Sequence, residues 1–314
     1  MHTKTNQSIF TQLNNTKHRA TQDGQFSLFP DEKQNTPVQD TEYWFFSDIY
    51  NIHNNKTTET PNLDMNHIIT KNLVMPKKTA SNKIELVPHD TQFLADHTNT
   101  VKHAYNLGYH EYKHAKDLQL TRYACWCLVK NHPNNAFSYT YFISPIISEN
   151  ITFQDINSIS YQFSRIPERA TLTRLNQHFN GIILNLNGTP AALNTKRIQS
   201  FFNNYTPQDL KSEHHITDTK SSILDYMGAT SLSYFIDGLH DIISKSHTNK
   251  YFRNIYQFEA TMHQELINAR KKMILETGIK PEQDIQRINI TTVQKEQKHI
   301  ENEFIKKYAN IKLR

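Results

Sequence analysis

Residues 116 to 147 read KDLQLTRYACWCLVKNHPNNAFSYTYFISPII, and the way apolarity is spread along them decides what fold the chain can adopt. Leu118 and Leu120 alternate with polar residues at the period of a strand. From Tyr123 to Val129 the apolar residues lie nearly all round, which suits a helix with no solvent face. Pro133, followed by Asn134 and Asn135, marks the turn before the next apolar run. A strand feeding directly into a buried helix calls for a core of mixed composition.

Toward the N-terminus, NKIELVPHD at 82 to 90 carries the Ile84, Leu86 alternation of a short strand. EYWFFSDIY at 42 to 50 reads as an aromatic strand ended by Ser47 or Asp48, either of which suits the cap of a short helix. Toward the C-terminus, residues 148 to 275 look helical throughout, because apolar residues recur three or four apart. Ile223, Leu224 and Met227 form one stripe, and Leu232, Phe235, Ile236 and Leu239 the next. Gly228 breaks between them, with Thr230 or Ser231 as the new cap. Ile255, Phe258, Met262, Leu266 and Met273 stripe a further helix that stops at Gly278, with Pro281 beyond. These stripes read as core.

The expected fold is therefore mainly α (α+β). A strand-containing domain covers 40–147 and a helical domain 148–279, with a basic tail at 280–314. In residues 1–39, Asn, Gln, Ser and Thr fill 18 positions without apolar periodicity, which marks a disordered tail. The formal net charge is +5. From Arg270 to Arg314 eleven Lys and Arg stand against six Asp and Glu, so this end carries a surplus as large as that of the whole chain. Its apolar residues, Ile300, Phe304, Ile305 and Ile311, are too sparse for a coiled coil, and a mobile basic helix is expected. A basic end suits a polyanion such as nucleic acid, and equally a solvated charged helix.

Several function classes find no support. Gly numbers only 7, and neither G-x-G-x-x-G nor G-x-x-x-x-G-K occurs. No cofactor is expected. No apolar run approaches the roughly 18 residues of a membrane span, and the N-terminus lacks a signal-peptide core, which places the protein in the cytoplasm. Cys125 and Cys127, two apart on a helix, cannot face each other, so neither disulfide nor zinc site is expected. HEYKH at 110 to 114 matches H-E-x-x-H, yet it lies in a strand-like or loop-like setting, whereas the zinc-protease motif requires a helix. No nucleophile elbow, acid pair or kinase signature appears, and no enzyme is expected.

KDLQLTRYACWCLVKN, SYTYFIS at 138 to 144 and SSILDYMGATSL at 221 to 232 occur in an order and at separations that carry a resemblance. They resemble, in turn, the K-D-x-x-L-S-R-Y-A-C-Y-L-like, Q-T-Y-F-A-like and I-L-D-H-M-G-like runs of the bacterial DNA-damage-inducible protein D family. YWFFSDIY resembles the start of that family's N-terminal domain, itself related to Bro-N domains of phage and viral proteins. RLNQHFNGIILNLNGTPAA at 174 to 192 looks like its central helix, and GIKPEQDIQRINI at 278 to 290 its closing segment. The similarity spans roughly residues 42 to 300. Departures fall at NHPNN (131 to 135), NNYTPQDL (203 to 210) and SLSYFIDG (231 to 238), the last lacking the family's Asn and Arg. They bear on partner contacts by that helix.

The resemblance implies a non-enzymatic role in the DNA-damage response, acting on RecA filaments on single-stranded DNA and tempering recombination. A Bro-N-like transcriptional regulator or antirepressor, reading duplex DNA, is the alternative. Lys116, Asp117, Arg122 and Tyr123 match the family's best-kept run. One reading makes Arg122, with Lys113, Lys116 and Tyr123, a DNA-facing or partner-facing group. The other has Asp117 and Arg122 fixing a strand-helix junction while Tyr123, Ala124 and Leu128 pack inside. In the tail, GQFSLFPDE at 24 to 32 sets an apolar knot in a polar segment. Gln25, Phe26, Leu28 and Phe29 resemble the Q-L-[S/D]-L-F peptide by which bacterial repair proteins dock on the sliding clamp. The alternative is that Phe26 and Phe29 anchor the tail on the folded body.

Overall fold

The computed structural model describes residues 43–47, 49, 65–106, 112–130, 136–148, 151–248 and 252–313. The tail at 1–39, its clamp-like peptide included, and the Pro133 turn lie outside them. The chain is mainly α with a small antiparallel sheet. It divides into two compact units. One holds the described residues up to Ser160 and again from Glu296 onward, and the other spans Tyr161–Lys295. The divisions between these units fall at 160/161 and 295/296. Residues 160 and 161 lie within one helix, and so do residues 295 and 296.

In the first unit, β1 (Trp44–Phe45), α1 (Met65–Asn72), β2 (Val74–Lys78), β3 (Ile84–Pro88), α2 (Thr91–His97), β4 (Thr98–Asn106) and β5 (Tyr112–Leu120) precede α3 (Arg122–Val129) and α4 (Ala136–Ile147). β5 lies between β1 and β4 in one antiparallel sheet, and β2 and β3 pair separately. β1 is only two residues long, and Phe46 and Ser47 are already helical. Helix therefore begins before the expected cap at Ser47, whose hydroxyl is taken by Asp117 instead. α3 is buried on nearly every side, and its N-cap Thr121 accepts from the Ala124 amide, as the aromatic-rich run demands. Tyr112–His114 belong to β5, so that half of HEYKH is strand, while His110 and Glu111 fall outside the described residues.

The C-terminal segment corrects the sequence expectation most. α10 (Ile290–Tyr308, numbered in chain order below) is not a mobile appendage. Phe304 stacks on Tyr123 at 6.3 Å and meets Trp126 at 5.4 Å and Tyr308 at 4.9 Å. Ile300, Phe304, Ile305, Tyr308 and Ala309 are all buried. Beyond the helix, the Leu313 amide donates to the Asp96 carbonyl and Lys312 pairs with Asp96 at 2.8 Å. Each fully buried aromatic contributes on the order of 2 kcal/mol, enough for a few residues to seat an otherwise polar helix. The low apolar count misled because the few apolar positions coincide on one face.

The second unit is helical. α5 (Phe153–Asn185) leads by a tight turn into α6 (Pro190–Phe201), then α7 (Pro207–Glu213), α8 (Ala229–Thr248) and α9 (Ile255–Thr277), with short 3-10 turns at Ile223–Asp225 and Pro281–Gln283. Gly278 ends α9 with φ +70, the left-handed conformation glycine adopts without penalty. The stripe Ile223, Leu224, Met227 is buried as expected but is not α-helical. Ile223 and Leu224 lie in the 3-10 turn, and Met227 bridges Ile285 in antiparallel fashion. Nor do Thr230 and Ser231 cap α8, which starts at Ala229. The Ser231 amide is satisfied by Asp284 Oδ2 at 2.8 Å, a cap supplied from fifty residues away. Gly228 leaves room for this: a Cβ there would meet the Asp284 carboxylate and the Tyr161 hydroxyl.

Candidate nucleic-acid interface

The junction of β5 and α3 collects the charged residues that sequence singled out. Asp117 is buried, and its carboxylate accepts from Ser47 N at 3.3 Å, Ser47 Oγ at 2.6 Å and Leu118 N at 2.7 Å. It thereby ties β1's exit to β5. Arg122 is 4% exposed. Its Nη1 donates to the carbonyls of Tyr141 (3.3 Å) and Phe142 (3.1 Å), and its Cζ lies 4.8 Å from the Trp44 ring centre.

Pro145 explains part of this arrangement. Four residues beyond Tyr141, proline has no N–H to offer the Tyr141 carbonyl. Arg122 and the Ser144 hydroxyl, at 2.7 Å, supply donors in its place. The guanidinium also sits over Tyr141 and Tyr308, at 5.7 and 5.9 Å. Tyr123 is fully buried and donates its hydroxyl to Val74 O at 2.8 Å, and burial holds its phenol well above the ordinary tyrosine range. The structure thus places both Arg122 and Tyr123 in the core.

Lys116 behaves differently. It is exposed on β5, and the β-register sets it directly opposite Lys102 of β4, which is exposed as well. Neither lysine has an ion-pair partner among the described residues. Like charges directly opposite on a β-ribbon destabilise it, so the pair makes physical sense where an anion lies across it. Lys113 stands further out on β5, opposite Tyr105 in register.

The β2–β3 hairpin offers a contrast. Lys77, Lys78 and Lys83 are exposed near its tip, where Asn82 takes φ 57, but Lys77 has Glu85 opposite in register. On α10, Lys298, Lys306 and Lys307 are exposed, with Lys306 paired to Glu303 at 2.5 Å. Lys306 and Lys312 are thus ion-paired, whereas among the described residues Lys102 and Lys116 are not.

Of the residues singled out from sequence, Lys116 is the one seen exposed on this ribbon, and Lys102 opposite it was not among them. The latter sits in TNTVKHAYN, whose Thr and Val content is strand-like, but only the register couples it to Lys116. Among the described residues no group of three or more His, Cys, Asp or Glu is arranged to hold a metal ion, and no helix is long and apolar enough to cross a membrane. Comparison with protein-family models, with curated proteins and with solved structures finds no match.

Proposed function

We propose that this chain is a non-enzymatic protein of the DNA-damage response that engages RecA filaments on single-stranded DNA through the β4–β5 ribbon and so modulates recombination. The observation that carries the reading is the exposed pair Lys102 and Lys116, with no ion-pair partner among the described residues, and Lys113 on the same ribbon. Support comes also from the order of the three motifs that resemble the DNA-damage-inducible protein D family. Phosphate contacts by lysines carry charge and no sequence information, which suits a filament whose backbone repeats. The peptide Gln25, Phe26, Leu28 and Phe29 would tether the protein to the sliding clamp.

The test is RecA-driven strand exchange on filaments formed beforehand. Near-stoichiometric protein inhibits it, and the double variant Lys102→Gln with Lys116→Gln, folded normally, inhibits it at least about tenfold less well, two phosphate contacts being lost. Wild-type protein without effect sinks the RecA reading. A peptide of residues 20–34 that shows no clamp binding at about 100 μM, a concentration at which linear motifs dock, removes the tether.

The alternative, a Bro-N-like regulator or antirepressor, draws on the same two-stranded ribbon, a shape that fits a duplex major groove. It predicts one tight duplex site where the first reading predicts preference for single strands or filaments. Competition between the two kinds of DNA separates them.

A further inference from the structure

The helical unit contains an open cleft of about 680 Å³ walled by α6, α7 and the segment that runs into the Ile223–Asp225 turn. That volume lies within the range of small-molecule sites. Its lining includes Arg197, which is 3% exposed. The guanidinium is sandwiched between Phe179 and Phe235, at 5.3 and 5.7 Å, and Nη1 donates to Asn176 Oδ1 at 2.7 Å. Nε is buried with no partner. No carboxylate pairs with Arg197 among the described residues. Burial and the nearby cation of Arg169 push it down to about 10, so it still carries its charge at neutral pH.

A buried cation without a counter-anion is among the least favourable things a fold can hold. A second cation lines the same cleft. Lys211 Nζ donates to the carbonyls of Asp218 (2.7 Å) and Ser221 (2.5 Å), and it has no ion pair among the described residues. The lining contains no Asp or Glu at all. Hydroxyls of Thr195, Ser212 and Ser222 stand around it, and Ile216, Ile223 and Leu224 form an apolar wall.

We infer that this cleft binds a small organic phosphomonoester. A dianion balances the two positive charges, hydroxyl groups donate to phosphate oxygens, and the apolar wall receives the organic body. The inference is independent of the DNA-binding reading, since it concerns other residues in the other unit.

Calorimetric titration of the full-length protein with phenyl phosphate, at fixed ionic strength, tests it. Binding with a Kd of about 1 mM or tighter is expected, with benzyl alcohol, which has the ring but no charge, failing to bind. Arg197→Met abolishes the signal. Because that variant also touches the core, Gln208→Glu provides the second arm. Gln208 lines the cleft from the exposed face of α7, and a carboxylate in a helix's first turn does not harm the helix. It weakens phenyl phosphate at least about fivefold by charge repulsion. Absence of phenyl phosphate binding to wild type overturns the proposal, and so does undiminished binding by folded Gln208→Glu protein.

Discussion

The helical unit buries two arginines in different regions, and they are solved in opposite ways. Arg165, fully buried, donates Nε to Met227 O (2.9 Å), Nη1 to Gln162 Oε1 (2.7 Å) and Ile288 O (3.1 Å), and Nη2 to Asp225 O (2.9 Å). The carboxylates of Asp284 and Asp225 lie near enough to favour its charge. Among the described residues Arg197 has one hydrogen bond, an unpartnered Nε and no carboxylate partner, with Arg169 opposing its charge. Burial pushes both down to about 10. The first closes three chain segments around itself and leaves nothing for a ligand. The second leaves an unmet need in a residue that lines a cleft. Burial alone does not separate a structural arginine from a binding one; the tally of donors and counter-charges does.

The largest way to break that contrast is Arg165→Met. Several buried acceptors lose their donor at once, each loss costing about 1–3 kcal/mol, so the variant should lose about 4 kcal/mol or more and the unit should unfold in mild urea. Arg197→Met should lose about 1 kcal/mol at most, since methionine fills the space between Phe179 and Phe235 and removes an unpaired charge. Equal urea midpoints for the two variants would collapse the distinction.

A buried titrating group in the other unit extends it. His97 is 1% exposed, and its Nε2 lies 3.2 Å from the Ala309 carbonyl. A carbonyl only accepts, so Nε2 carries the proton and Nδ1 accepts from the Thr121 hydroxyl at 2.7 Å. Both ring nitrogens are satisfied in the neutral form, and burial lowers the pKa from 6.5 to about 4. The unfolded chain therefore binds the proton more readily. Stability from this site is complete above about pH 6.5 and is lost as pH falls toward 4, to a total of about 3 kcal/mol. The difference in unfolding free energy between wild type and His97→Gln, from urea titrations between pH 7 and 4, should shrink by that amount. A pH-independent difference would show that His97 is not held neutral.

Much of this architecture could be read from the chain beforehand. β5 and α3 follow from the period of Leu118 and Leu120 and from the unbroken apolarity of Tyr123 to Val129, and the α9 stop follows from Gly278. What escaped depends on residues distant in sequence. The α8 cap escaped because Asp284 supplies it, and the seat of α10 because Phe304 needs Tyr123 and Trp126 to be worth burying. In the candidate site, sequence left Arg122 and Tyr123 open between a contact role and a packed one, and the surroundings of Trp44, Tyr141 and Val74 are what place them in the core. Lys102 and the Arg197 cleft carry no local signal, since register and the absence of a counter-charge are properties of the folded chain.

The smallest effect tests the ribbon. At Lys102 stability and function should pull in opposite directions. Lys102→Glu replaces a like-charge cross-strand pair with an opposite-charge one, which favours the β4–β5 ribbon by a few tenths of a kcal/mol. The same change removes one phosphate contact and adds a repulsive charge, so single-stranded DNA binding should weaken and the slope of log K against log salt should fall by about 1. A surface kept for packing should gain from the exchange and lose nothing. Only a surface whose missing counter-charge arrives with the nucleic acid becomes more stable and less competent together. A stabilised variant with unchanged salt slope would therefore move the DNA contact off this ribbon altogether.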